Sequence, residues 1–429
     1  MFGELRRLIS RLSARDTGVR PGLYHYARET ATGMARFHLR VDPAGDGLLL
    51  ANAAAMARLS PSGVVIAKGL LEKHEPAAIV GRASSLFRGA AAGQTAADVA
   101  AVEALIKRME LPGNTYPIYN LDDPAFSPKV RPLARPISAD VPLCPPFHMR
   151  QILDRLWQLG IPHVTIIVGR DPDESALIRA VERASDLGMI AGVRGRGTDF
   201  GQHACIGDLA AAGVDHLDIY CLSEHEAVHD ALAGTGDYKK AVRALALSLK
   251  NEVCPVAQVA LVRPTLTTID QTLAGMSEHG LENVCLFAVA TLDPAEASAG
   301  ALLAHELAPA AQMVEEAAER CGVRLLWYPS VRFDPGKPLG EQVCRGPRCS
   351  GDTAVRVEPD GAVFAPRGPF RAAGNLITDD WETLEQSPVY QAYRRRVESD
   401  THCDACPGLV ICAADCPRDP AGWADADSG

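Results

Sequence analysis

From Pro136 to Trp327 the sequence alternates short runs of β-branched and apolar residues with amphipathic helical stretches. A chain patterned this way is expected to build β/α units on a parallel sheet, because each strand needs a crossover helix to bring the next one back in the same direction. Strands are expected over 163–168, 189–193, 216–221, 256–262, 284–289 and 323–327, with helices over 150–159, 174–187, 238–250, 269–279 and 303–321 between them. About six such units curl into an open or closed barrel whose chemistry sits at the carboxyl ends of the strands.

The flanks read differently. Between Phe37 and Arg108 the pattern is a β-hairpin around Asp42 to Gly47 followed by helices over 61–71, 76–87 and 97–109, with Pro near two of the helix starts. A small α+β domain fits. The following stretch, LPGNTYPIYNLDDPAFSPKVRP, is rich in Pro, Asn and Asp and reads as a linker. At the start, Leu5, Leu8, Ile9 and Leu12 share one helical face while Arg6, Arg7 and Arg11 lie elsewhere, which favours a docking helix over an address signal. A net charge of −10 argues against nucleic acid as a partner, and no apolar run approaches the length of a membrane span. The expected location is the cytoplasm.

Beyond Lys337 cysteine, glycine and proline cluster. Cys403, Cys406, Cys412 and Cys416 read C-x2-C-x5-C-x3-C, with Cys344 and Cys349 upstream. Thiolates at such spacings, without a secretory segment, point to iron–sulfur clusters or zinc rather than disulfides. Val355 and Val357 alternate with Arg356 and Glu358, and Pro359-Asp360-Gly361 makes a turn before Val363, so a hairpin is expected there.

Together these features resemble the radical S-adenosylmethionine (SAM) enzymes that carry a C-terminal SPASM domain, many of which modify ribosomally made peptides. The cysteine run from Cys403 to Cys416 matches the SPASM signature, and Gly374-Asn375-Leu376 resembles the Gly-Asn segment preceding it. Gly169-Arg170-Asp171-Pro172 resembles the family's Gly-Gly-Glu-Pro segment, which helps hold the SAM amino group, so Gly169, Asp171 and Pro172 are the implied cofactor-binding residues. The N-terminal region, with Leu48-Leu49-Leu50, Leu59-Ser60-Pro61-Ser62-Gly63 and the helix through Asp98-Val99, resembles a winged-helix leader-peptide recognition domain. The implied organisation is a winged-helix-like domain over 1–115, a linker over 116–135, a partial (β/α)6 radical-SAM-like barrel over 136–335 and a Cys-rich SPASM-like domain over 336–429.

The chain departs from the family at its defining motif. Where C-x3-C-x2-C is expected, the sequence reads Leu143-Cys144-Pro145-Pro146-Phe147-His148-Met149-Arg150-Gln151, in which only Cys144 is a cysteine. Cys144, His148 and Gln151 keep the spacing, but Gln is a poor cluster ligand. The SPASM half departs too. The resemblance implies one auxiliary [4Fe–4S] cluster on Cys344, Cys349 and Cys416 and another on Cys403, Cys406 and Cys412, each with one open iron. The alternative is a single structural zinc on Cys403, Cys406, Cys412 and Cys416. The expected role is peptide or protein maturation, as a binding or scaffold partner of an active maturase. Two alternatives stay open: an active radical SAM/SPASM-type maturase or SAM-binding enzyme that uses an open auxiliary cluster, and a zinc-stapled, non-catalytic peptide-binding protein.

Individual side chains are assigned more modest parts. His163, His203, His216, His225 and His229 are expected at the surface or in caps. Cys205, Cys221, Cys254, Cys285 and Cys321 read as small buried hydrophobes. Asp171 is favoured as a helix cap, and Arg194 with Arg196 as residues of a loop after the third strand, facing either an anion or solvent.

Overall fold

The structure, a computed structural model, describes residues 18–30, 33–51, 55–87, 92–110, 133–169, 172–200, 203–350, 353–366 and 370–398. These residues form two compact units, the first up to Glu110 (with 158–160) and the second from Leu133 onward.

The first unit is an antiparallel meander followed by three helices. Strands β1 (Gly22–Thr30), β2 (Gly33–Val41), β3 (Gly47–Ala51) and β4 (Ala55–Leu59) pair in sequence order. The turn between β2 and β3 is closed by Asp42 N–H donating to Asp46 O and Gly45 N–H to Asp42 O, both at 2.8 Å, with Gly45 at φ +92°. Only glycine takes that conformation cheaply. Helix α1 (Pro61–Leu71) starts with Ser60 accepting from Gly63 N–H at 3.2 Å and Pro61 in the first turn. Helices α2 (Pro76–Leu86) and α3 (Ala92–Glu110) follow. Residues 37–41 of β2 are all buried, and Phe37, Leu39 and Val41 share a core with Val64, Val65 and Ile106, each large side chain contributing about 1.5–3 kcal/mol. The expected hairpin and three helices are present. Strands β1 and β4 were not expected.

In the second unit strands β5 (Ser138–Pro142), β6 (His163–Ile167), β7 (Ile190–Gly195), β8 (His216–Tyr220), β9 (Cys254–Leu261) and β10 (Asn283–Thr291) lie side by side in sequence order, all parallel. Between them run α4 (Pro146–Gln158), α5 (Glu174–Asp186), α6 (His203–Ala212), α7 (Glu226–Ala233), α8 (Asp237–Lys250) and α9 (Ile269–Glu278). Helix α10 (Leu307–Cys321) then leads into β11 (Arg324–Trp327), which pairs parallel with the first half of β10. The expected alternation is therefore present, with β5 added ahead of the first strand read from the sequence. The short polar strand Ser138–Pro142 lacks the apolar run that marks the others.

After helix α11 (Leu339–Arg345) the chain returns to the other end of the sheet. Strand β12 (Ala354–Val357) pairs parallel with β5 and antiparallel with β13 (Ala362–Phe364). This is the expected hairpin, with Gly361 at φ +86° in its turn. Among the described residues no helix is long and apolar enough to cross a membrane.

Candidate functional site

Strand residues alternate between the two faces of a sheet. On one face Val164 and Ile166, Ala191 and Val193, Leu217 and Ile219, and Val284 and Leu286 follow one another, all apolar and buried. The other face sets polar side chains among apolar ones such as Ile167, Val256 and Phe287. It collects Asp140 from β5, His163 and Thr165 from β6, Arg194 from β7, His216, Asp218 and Tyr220 from β8, Gln258 from β9 and Cys285 from β10, all buried.

Register brings His163, His216, Asp218, Arg194 and Asp140 into one chain of hydrogen bonds. Arg194 lies opposite Asp218, and Gly192 opposite His216. The two imidazoles meet Nε2 to Nε2 at 2.8 Å, and His216 Nδ1 sits 2.8 Å from Asp218 Oδ1. Arg194 donates through Nε to Asp218 Oδ2 at 3.2 Å and through Nη1 to Asp140 Oδ2 at 2.7 Å. The second bond crosses the whole of β6, a span of two strand spacings or about 10 Å, which is why the long guanidinium is needed there. Ser350 closes the line, donating to Asp140 Oδ1 at 3.1 Å. Tyr328 lies with its ring 5.7 Å from Arg194 Cζ and accepts from the Cys285 thiol at 3.2 Å.

The electrostatics follow from burial and pairing. Burial pushes Asp218 up, but His216 and then Arg194 outweigh it and hold the carboxyl below the usual carboxylate range. Burial works against the charge on Arg194, and Asp140 and Asp218 more than restore it. The Cys285 thiol is pushed up to about 12, chiefly by burial. Gly192 makes room for the pair: a Cβ there would sit 2.0 Å from His216 Cε1.

A second buried brace lies beyond the ends of β7 and β8. Leu222 N–H donates to His229 Nδ1 at 3.2 Å, so the proton is on Nε2, which faces Asp237 Oδ2 at 2.9 Å. Asp237 Oδ1 accepts from Thr198 N–H at 2.7 Å. Arg196 is bound to Asp199 of its own turn, at 2.6 and 2.9 Å.

These positions correct several expectations. His163, His216 and His229 are buried and hydrogen-bonded, not surface or capping residues. Arg194 is a strand residue clamped between two carboxylates rather than part of a loop. The helix cap is Asp173, whose Oδ1 accepts from Ala176 N–H at 3.1 Å. Asp171 lies outside the described residues.

Of the other implied cofactor residues, Gly169 is exposed, and a Cβ there would meet nothing within 4 Å, so no close approach demands glycine. Pro172 is half-buried just ahead of Asp173. Cys344, on α11, is half-buried with its thiol 3.7 Å from Leu232 O, and Cys349 is buried with its thiol 3.8 Å from Ala354 O. Cys403, Cys406, Cys412 and Cys416 lie outside the described residues. Among the described residues no three His, Cys, Asp or Glu side chains gather as a metal site.

The residues present do not fit a SAM-cleaving cluster. Strand β5 ends at Pro142 and α4 begins at Pro146, so the connection is three residues long. Cys144 within it is buried, and burial pushes its thiol up to about 11, away from the thiolate that binds iron. His148 and Gln151 are exposed on α4.

Fold and site thus define an α/β protein with a sequentially ordered parallel sheet, one face of which carries a buried, hydrogen-bonded polar network. No protein-family model and no curated protein sequence matches the chain. Solved structures do. SuiB from Streptococcus suis bound to S-adenosylmethionine is 11% identical with a TM-score of 0.55, over 94% of this chain and 99% of that one. SuiB bound to the precursor peptide SuiA gives the same values. At that identity the likeness is one of fold.

Proposed function

We propose that this chain is a radical-SAM-like protein of the SPASM type that acts in peptide or protein maturation as a non-SAM-cleaving binding or scaffold partner of an active maturase. The likeness in fold to SuiB, whose solved structures hold S-adenosylmethionine and a precursor peptide, supports the maturation part. The three-residue connection between β5 and α4 carries the non-cleaving part, because it leaves no loop in which three thiolates can surround an iron. The domains follow the sequence: peptide recognition over 1–115, a linker over 116–135, a barrel over 136–335 and a SPASM-like domain over 336–429. An extended peptide would add to a strand edge of the first unit, where main-chain hydrogen bonds supply affinity.

In the C-terminal domain Cys344, Cys349, Cys403, Cys406, Cys412 and Cys416 would hold one or two auxiliary [4Fe–4S] clusters. Such clusters supply electron storage and an open iron for a donor group. The test is iron, sulfide and zinc per chain on anaerobically purified protein, beside a Cys403→Ala/Cys406→Ala variant, followed by reduction in the presence of SAM. Iron with matching sulfide, reduced in the variant, and no 5′-deoxyadenosine is the expected result. Zinc without sulfide would replace the clusters by a structural staple, and release of 5′-deoxyadenosine would overturn the non-cleaving role.

A further inference from the structure

The chain's own return segment lies against the polar face of the parallel sheet at two places. At one end Gly346, at φ +65°, passes so close to the last residue of β8 that a Cβ would sit 2.8 Å from the Tyr220 hydroxyl. That Cβ would also lie 3.9 Å from Phe287 Cζ on β10. Four residues on, Ser350 donates to Asp140 Oδ1 at 3.1 Å. At the far end Thr353 O accepts from Ile137 N–H at 2.7 Å, immediately before β5. The described stretch Gly346 to Ser350 therefore reaches from Tyr220, at the carboxyl end of β8, to Asp140 of β5, on the face that also carries Arg194 and Asp218. Gly346, Pro347, Arg348 and Cys349 along this path are buried.

We infer that Gly346 to Ser350 is an intramolecular plug, occupying the polar face in place of a ligand, and that its release opens a site for a small molecule or peptide end bearing an ammonium or hydroxyl donor. The chemistry of the plug states the class. Arg194 and His216 already engage Asp218, and Arg194 takes one oxygen of Asp140, so the group freed when Ser350 leaves is a carboxylate oxygen, Asp140 Oδ1. A buried carboxylate oxygen is satisfied by a donor, and a charged donor best. The Ser350 hydroxyl stands in for that donor.

The two ends of the plug can be loosened independently. Ser350→Ala removes a hydrogen bond to a charged group, so exchange of the 339–350 amides is expected to rise about ten- to a hundredfold. Gly346→Ala puts a Cβ against Tyr220 at a positive φ, with an expected rise of at least about fivefold. Hydrogen–deuterium exchange by mass spectrometry on the full chain reads both variants, with α5 and α8 as internal references that should not change. An equal rise in the references would make the segment part of the general core, and no rise would show that these contacts do not hold it; either result overturns the plug. Saturation-transfer NMR with ethanolamine, which carries both donors, is expected to show binding to the two variants and not to the parent. Equal signals, or none, would overturn the ligand class. Cys344 and Cys349, candidate cluster ligands, lie within the 339–350 stretch, so both measurements are made on the protein as purified and after its metals are removed by chelation; failure in the metal-free protein overturns the plug and leaves the maturation role untouched.

Discussion

Replacing Arg194 by methionine tests the site most directly, because it removes the charge while keeping most of the stem. In the parent, one guanidinium neutralises two buried carboxylates through bonds of 2.7 and 3.2 Å. The variant leaves Asp140 and Asp218 buried beside each other's field without it. Removing one partner of a buried ion pair costs about 3–5 kcal/mol. With a urea m-value of about 3 kcal/mol/M, the midpoint should fall by about 1–1.7 M. Trp157, Trp327 and Trp381 lie in the second unit and the first unit holds no tryptophan among its described residues, so tryptophan fluorescence reports on the second unit. Adding Asp140→Asn and Asp218→Asn should recover at least half the loss, since the uncompensated charge is what costs. The pH dependence has a definite sign. Asp218 is held below its unfolded value, so its contribution is complete above about pH 4 and is lost as pH falls through the depressed folded value. With Arg194 gone that loss should begin at higher pH. A midpoint shift under about 0.3 M, or no recovery in the triple variant, would refute the reasoning.

Two further outcomes follow from close contacts on the same sheet. Gly192→Ala drives a Cβ into the His216 ring at 2.0 Å, and the urea midpoint should report a loss of about 1–3 kcal/mol, typical of overpacking; an unchanged midpoint would mean the ring moves aside freely. Cys144, with its thiol pushed up to about 11, should alkylate at pH 8 about a hundredfold more slowly than an unperturbed thiol; labelling at the rate of a urea-unfolded control, mapped by mass spectrometry, would show that the β5–α4 connection is open.

The parallel sheet was legible because β6 to β10 carry apolar runs bounded by helical periodicity, a local signal that needs no partner. Strand β5 was missed because Ser138-Ala139-Asp140-Val141-Pro142 has too little apolar character to announce a strand. It becomes one by pairing with β6 on one side and β12 on the other, a tertiary effect. Likewise β1 alternates exposed with half-buried positions and depends on β2 for its definition.

The polar face left a trace that local reading misassigned. A strand buried on both faces usually reads as continuously apolar. Yet 163 and 165, 194, 216, 218 and 220, and 258 are polar at every second position of otherwise apolar strands. Taken one at a time these look like surface residues, because nothing in the sequence says which residue 53 positions away, or 54 in the case of Arg194 and Asp140, will answer them. The parity was readable, but the partners were not, because they are set by strand register. Once register aligns the rows, buried donors such as Arg194 Nε and Nη1 find acceptors across the face rather than in water. The result is a network whose last acceptor, Asp140, is met by Ser350 from 210 residues downstream. The segment that supplies this hydroxyl also carries Cys349, a buried thiol of the candidate metal domain.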